Sequence, residues 1–163
     1  MLPAAQEAGV RYVGGAISKG RIFWTVWKAV AVLAFVLALI QKLPYGQDHT
    51  NPVVSEEPSW DSPRTRELAA RACFDCHSNQ TSWPWYSEVA PASWLVQRDV
   101  DAGRRRLNFS DWREYAKGGA ELARIVREGV GPPWFYRLLQ PGARLTPAER
   151  DELARGLLAT AGP

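Results

Sequence analysis

Methionine, cysteine and histidine are scarce in this chain: one, two and two among 163 residues. The single methionine is Met1, so no thioether is available to a site built further along. Lysine is almost confined to the first part, since Lys117 is the only one after Lys42. Acid is nearly missing from that same part. Residues 1–42 hold Arg11, Lys19, Arg21, Lys28 and Lys42 against Glu7 alone, so in a protein of net charge +3 the remainder is slightly acidic. The pI near 9.1 therefore belongs to the N-terminal segment. A folded domain without a basic face excludes nucleic acid as a partner. Strand-like alternation of useful length is also missing, which points to an all-α fold.

One long apolar run is present. From Ile22 to Ile40 only Thr25 and Lys28 interrupt it, and Ala29–Ile40 is wholly apolar. A helix of about 20 residues, rising ~1.5 Å per residue, spans the ~30 Å hydrocarbon layer. Trp24 and Trp27 suit the membrane interface, and Lys28 can snorkel toward the basic end. A buried core helix seldom lacks a polar face for so long. A cleaved secretory signal needs a small-x-small site, whereas Gln41-Lys42-Leu43-Pro44-Tyr45 follows here. The run is read as an uncleaved signal anchor, a single transmembrane span over 22–40. By the positive-inside rule residues 1–21 are cytoplasmic, and everything after about 43 lies outside a bacterial plasma membrane, in the periplasm where a second membrane exists.

Beyond the anchor, Pro44, Pro52 and Pro58 mark 41–61 as an extended linker or arm. The remaining stretch, 62–163, reads as one small helical domain. Ser62-Pro63 opens its first helix as N-cap and first helical residue, with Leu68, Ala69, Ala72 and Cys76 at helical spacing. A second helix is expected over about Pro91–Arg106, a third over Asp111–Lys117 after the cap Ser110, and a fourth over about Ala120–Glu128, ended by Gly129. Thr146-Pro147-Ala148-Glu149 is a capping box for the last, with Leu153, Leu157 and Leu158 as its apolar positions.

The chemistry is concentrated in Cys73-Phe74-Asp75-Cys76-His77, a C-x-x-C-H sequence of the kind to which c-type haem is attached. Two cysteines three positions apart reach vinyl groups on one porphyrin edge, while the adjacent imidazole reaches the iron. Using both cysteines in this way leaves no thiol over. A thioredoxin-like pair expects a strand–helix context that is missing. A zinc knuckle is disfavoured because, outside this cluster, only His49 remains as a further ligand. A disulfide leaves His77 unexplained.

Several further stretches carry a family resemblance: Asp48-His49-Thr50-Asn51-Pro52, Trp60 to Pro63, Cys73 to Gln80, Trp83 to Ser87, Ala90 to Leu95, Asp99-Val100, Leu107 to Ser110 and Pro132-Pro133-Trp134. From about Pro44 onward the chain resembles the small membrane-anchored bacterial proteins of the haem-binding domain family, related to monohaem cytochromes c. The resemblance implies one covalent haem c held by Cys73, Cys76 and His77, an exported cytochrome c-like domain and electron transfer. Relatives commonly read Met-Pro-Pro-Trp where this chain has Gly131-Pro132-Pro133-Trp134, and that Met is the usual second axial ligand. Here the nitrogen donors left in the exported part are His49 and Lys117. His49 is preferred because imidazole is neutral at pH 7 whereas an ammonium must first lose a proton. The alternatives are that His49 is a solvated linker residue and that the iron is five-coordinate or takes water. Nine positions separate Ile40 from His49, so a haem clamped by that residue stays within roughly 30 Å of the membrane surface.

Trp60, Trp83, Trp85, Trp94, Trp112 and Trp134 are many for a small domain, and at least one is expected against the haem; a tryptophan-rich core is the alternative. Arg104-Arg105-Arg106 reads as a solvated helix face, with a haem-propionate contact or a docking patch as alternatives. The function expected is that of an electron carrier, not an enzyme, serving a membrane-bound respiratory or photosynthetic complex. The competing classes are a haem-based sensor or small-ligand binder and a mainly structural haem-containing accessory subunit.

Overall fold

The computed structural model describes residues 19–114 and 118–162. The basic segment before Lys19 and the alternative ligand Lys117 lie outside the described residues. Every regular element among those described is helical, and one isolated parallel bridge joins Glu56 to Asp111. The chain divides into two compact units, Met1–Lys42 and Leu43–Pro163.

In the first unit, helix α1 covers Lys19–Ile40. Its Gly20–Ile40 stretch is long and apolar enough to cross a membrane. The side chains of Phe23, Trp24, Leu33 and Phe35 are exposed, as a lipid-facing helix requires.

The second unit begins with the arm, which is fastened along the domain rather than left as a free linker. The Asn51 and Asn79 side-chain amides donate to Thr81 O and Val53 O at 2.9 and 3.0 Å. Ser55 N donates to Ser110 O at 2.9 Å, and Trp112 N to Glu56 O at 3.0 Å. Glu57 accepts both Nε and Nη2 of Arg66 at 2.7 Å, a bidentate pair that holds its carboxyl down to about 2.

Helix α2 runs Pro63–Ala72, capped by Ser62 Oγ, which accepts from Thr65 N at 3.1 Å. It stops at Cys73, whose angles (φ −126°, ψ −34°) depart from helical values, and the short α3, Phe74–His77, restarts after it. The sequence suggested one helix carrying Cys76 on the face of Leu68. With the break at Cys73, Phe74 enters the core, Cys73 packs at its edge, and both cysteines line the cavity beside it. Helix α4 covers Ala92–Arg106. The expected helix Asp111–Lys117 is, in its described part, only a 3-10 turn at Trp112–Glu114, drawn to the arm by the Trp112–Glu56 bond. Helix α5 runs Gly119–Glu128 and ends at Gly129, which takes the left-handed conformation (φ 67°). Helix α6, Trp134–Leu139, begins after the Pro132-Pro133 pair and was not apparent from periodicity. Helix α7, Pro147–Ala161, has the complete capping box of Thr146 and Glu149.

Leu68 and Ala69 of α2 meet Leu153 and Leu157 of α7 in the core. Gly156 permits the crossing, since a Cβ there would lie 2.6 Å from Thr65 Cγ2. Phe109 joins this packing to the arm: its ring lies 5.5 Å from Phe74, 5.8 Å from Trp112 and 5.4 Å from Trp60. Burying a ring or aliphatic side chain of this size contributes roughly 1.5–3 kcal/mol, so this aromatic group anchors the motif segment.

Candidate haem site

Beside the core lies a cavity of about 1190 Å³, walled by α3 and α4, by α5 and α7, and by the 130–137 segment, which includes the first residues of α6. It is somewhat larger than ordinary ligand sites, which run ~300–1,000 Å³. Cys73, Cys76 and His77 all line it. Both cysteines are free, and burial pushes each thiol up to about 12. Such neutral thiols are unlike a redox pair, whose reactivity depends on a depressed thiol pKa.

His77 is fixed from behind. Its Nδ1 lies 3.1 Å from both Gly103 O and Leu107 O. Carbonyls only accept, so Nδ1 carries the proton and Nε2 keeps its lone pair for a metal. Burial lowers the imidazole pKa, which favours the neutral ligand form. The approach of α4 needs a residue without a side chain at 103: a Cβ there would lie 2.8 Å from the Cys76 carbonyl carbon and 3.0 Å from Cys76 Cβ. Phe109 N donates to His77 O at 2.8 Å, tying the motif to the core.

Arg104 completes the clamp. Its guanidinium donates to Ser78 O (2.9 Å), Thr50 O (3.1 Å), Asn51 Oδ1 (2.9 Å) and Thr81 Oγ1 (2.9 Å). It therefore joins the arm to the end of the attachment motif, and the expectation of three solvated arginines fails at its first member. Arg105 and Arg106 are exposed, and Arg106 lines the cavity.

Leu122, Ile125 and Val126 of α5 and Leu153 and Leu157 of α7 supply apolar walls. Gly131 to Trp134 add another wall, so Trp134 is the tryptophan at the cavity, whereas Trp60 and Trp112 belong to the aromatic core. Across the motif, Tyr136 O–H donates to Asp75 Oδ2, and Ser82 N donates to Asp75 Oδ1 at 2.9 Å. Burial first, then the Asp75 carboxylate, raise the Tyr136 pKa far above the ordinary phenol value, keeping it neutral. Arg98, Arg106, Arg137, Arg144 and Arg150 also line the cavity, outnumbering Asp75, Asp99 and Glu121. Two attachable thiols, one imidazole lone pair, apolar walls and surplus positive charge for two propionates fit a haem.

His49 is not brought to this cavity. Its Nε2 lies 3.1 Å from Ser87 O and its Nδ1 2.9 Å from Glu88 Oε1, while the ring stacks on Trp83 at 4.5 Å. Both nitrogens are engaged by the 3-10 turn Trp85–Glu88, and His49 is not among the residues that line the cavity with His77. Periodicity could not reveal a partner 38 residues away. The roles of Gly103, Tyr136 and Arg104 were equally hidden, because each arises from a long-range approach.

No match is found among curated proteins or among solved structures. A family model, described as a haem-binding domain, matches residues 35–158, which spans all of the cavity-lining residues and the whole Cys73–His77 motif. The chain belongs to the haem-binding domain family.

Proposed function

We propose that this protein is a membrane-anchored monohaem c-type cytochrome that passes single electrons to or from a membrane-bound respiratory or photosynthetic complex. The observation that carries the reading is the convergence of Cys73, Cys76 and the free Nε2 of His77 on one wall of the cavity. Iron in a haem c held there supplies a one-electron couple. The thiols of Cys73 and Cys76 attach the macrocycle as thioethers. His77 presents Nε2, and Gly103 O and Leu107 O hold the ring in orientation by accepting from Nδ1. The apolar side chains of α5 and α7 would keep water from a bound macrocycle, and the arginines that line the cavity would compensate its propionates. The domain serves as a carrier rather than an enzyme, with α1 as anchor, the N-terminus in the cytoplasm and the haem domain outside the bacterial plasma membrane.

Thioether bonds survive denaturation, so the protein is expected to keep its haem on a denaturing gel. Cys73→Ala with Cys76→Ala is expected to abolish that signal. A wild-type chain purified from a cytochrome c-maturing host without covalent haem refutes the proposal. Activity of a periplasm-dependent reporter fused to the C-terminus tests the orientation, and an active cytoplasm-dependent reporter refutes it.

A further inference from the structure

We propose that the iron bound to His77 keeps its sixth coordination position open to a small neutral diatomic ligand from solution, carbon monoxide or nitric oxide. The inference rests on the haem attachment argued above and deepens it.

Among the described residues lining the cavity, His77 is the only imidazole, and none is a methionine or lysine. Of the carboxylate and phenol oxygens, all but Asp99 Oδ2 are already committed. Tyr136 O–H is spent on Asp75, and both Asp75 carboxylate oxygens accept hydrogen bonds. Both Glu121 oxygens accept from Arg124, at 2.7 and 2.8 Å, and Asp99 accepts from Arg98 at 2.8 Å. The indole of Trp134 can donate but offers no ring-nitrogen lone pair. His49, the other described histidine, has both nitrogens occupied by Ser87 O and Glu88.

The walls also select the ligand. The surplus of arginines over Asp75, Asp99 and Glu121 is matched by the two propionates, and Leu122, Ile125, Val126 and Pro133 add nothing to stabilise an anion, which favours an uncharged molecule. Val130, which lines the cavity, is 68% exposed, so this stretch of the wall faces solvent. At the adjacent, cavity-lining Gly131 an added Cβ would meet nothing within 4 Å, so that point of the wall has room.

The test uses the full chain in detergent after haem staining has established covalent attachment. The ferric protein is expected to be high-spin, and carbon monoxide is expected to shift the absorption band of the ferrous protein. Gly131→Met places a thioether at the open point. If sulfur occupies the iron nine-tenths of the time, the apparent carbon monoxide affinity falls about tenfold. Gly131→Leu fills similar space without a ligating atom and is expected to retain carbon monoxide binding. A wild-type protein that holds covalent haem yet is low-spin and inert to carbon monoxide overturns the proposal, whichever of Lys117→Ala or His49→Ala then restores binding. That outcome is read on the wild type and holds even if the methionine variant fails to fold. Absence of haem on the denaturing gel instead defeats the attachment reading, and this proposal with it, before any ligand is added.

Discussion

Replacing Gly103 by alanine tests how closely α4 must approach the attachment motif. In an exposed helix interior this change gains about 1 kcal/mol of helix propensity. At 103 the new Cβ would lie 2.8 Å from the Cys76 carbonyl carbon and 3.0 Å from Cys76 Cβ, with the carbonyl oxygen nearer still. The obstacle is backbone, which cannot rotate aside as a flexible side chain can. Overpacking costs typically ~1–3 kcal/mol, and lengthening the bond from His77 Nδ1 to Gly103 O forfeits part of a further ~0.5–1.5 kcal/mol. After subtracting the propensity gain, the net loss is about 0.5–3 kcal/mol. For the 121 residues of Leu43–Pro163, that corresponds to a fall in Tm of roughly 2–12 °C, between the values for smaller and larger domains. The assay is thermal unfolding of the haem-loaded protein followed by circular dichroism, with the iron–histidine stretching band recorded by resonance Raman. The stretch is expected to weaken as Nδ1 loses part of its support. An alanine variant at least as stable as wild type, with an unchanged stretch, refutes the close-approach argument.

Arg104→Ala is expected to lower stability by about 1–3 kcal/mol and to expose the arm around residues 43–53 to limited proteolysis, because four acceptors lose one guanidinium. Gly156→Val is expected to cost about 1–3 kcal/mol through collision with Thr65, and Thr65→Ala is expected to recover part of it in a double-mutant cycle. Acid lability follows from Glu57 and Glu149, each held down to about 2, the first by Arg66 and the second by the Thr146 backbone amide and then Arg71. The sign is that of depressed carboxylates: their contribution is present above the ordinary value of 4.5 and is lost as pH falls toward 2. Urea midpoints at about pH 5 and about pH 3 check it, and Glu57→Gln is expected to flatten the fall.

The helices that could be read from the chain are those with local start and stop chemistry. Ser62-Pro63 and the Thr146–Glu149 box announce α2 and α7, and Gly129 announces the end of α5, because a cap is satisfied within a few residues. The Cys73–His77 motif was legible for the same reason. The break inside α2–α3 was not, since the pull on Phe74 comes from Phe109 and Trp60, both remote in sequence. The fate of His49 depended on Ser87, Glu88 and Trp83 meeting it from across the chain. Likewise the clamp made by Arg104 looks, in sequence, like one member of a surface charge run.

The two intervening residues of the C-x-x-C-H pattern are not interchangeable filler. Phe74 points into the aromatic core, whereas Asp75 reaches toward Tyr136 and Ser82. One spacer therefore serves the interior and the other serves the cavity wall, and exchanging their order would ask a carboxylate to occupy a slot closed by Trp60 and Phe109. An engineer who grafted this pentapeptide onto another scaffold by matching only the cysteines and the histidine would move the anchoring atoms and leave behind both of the contacts that hold them in register.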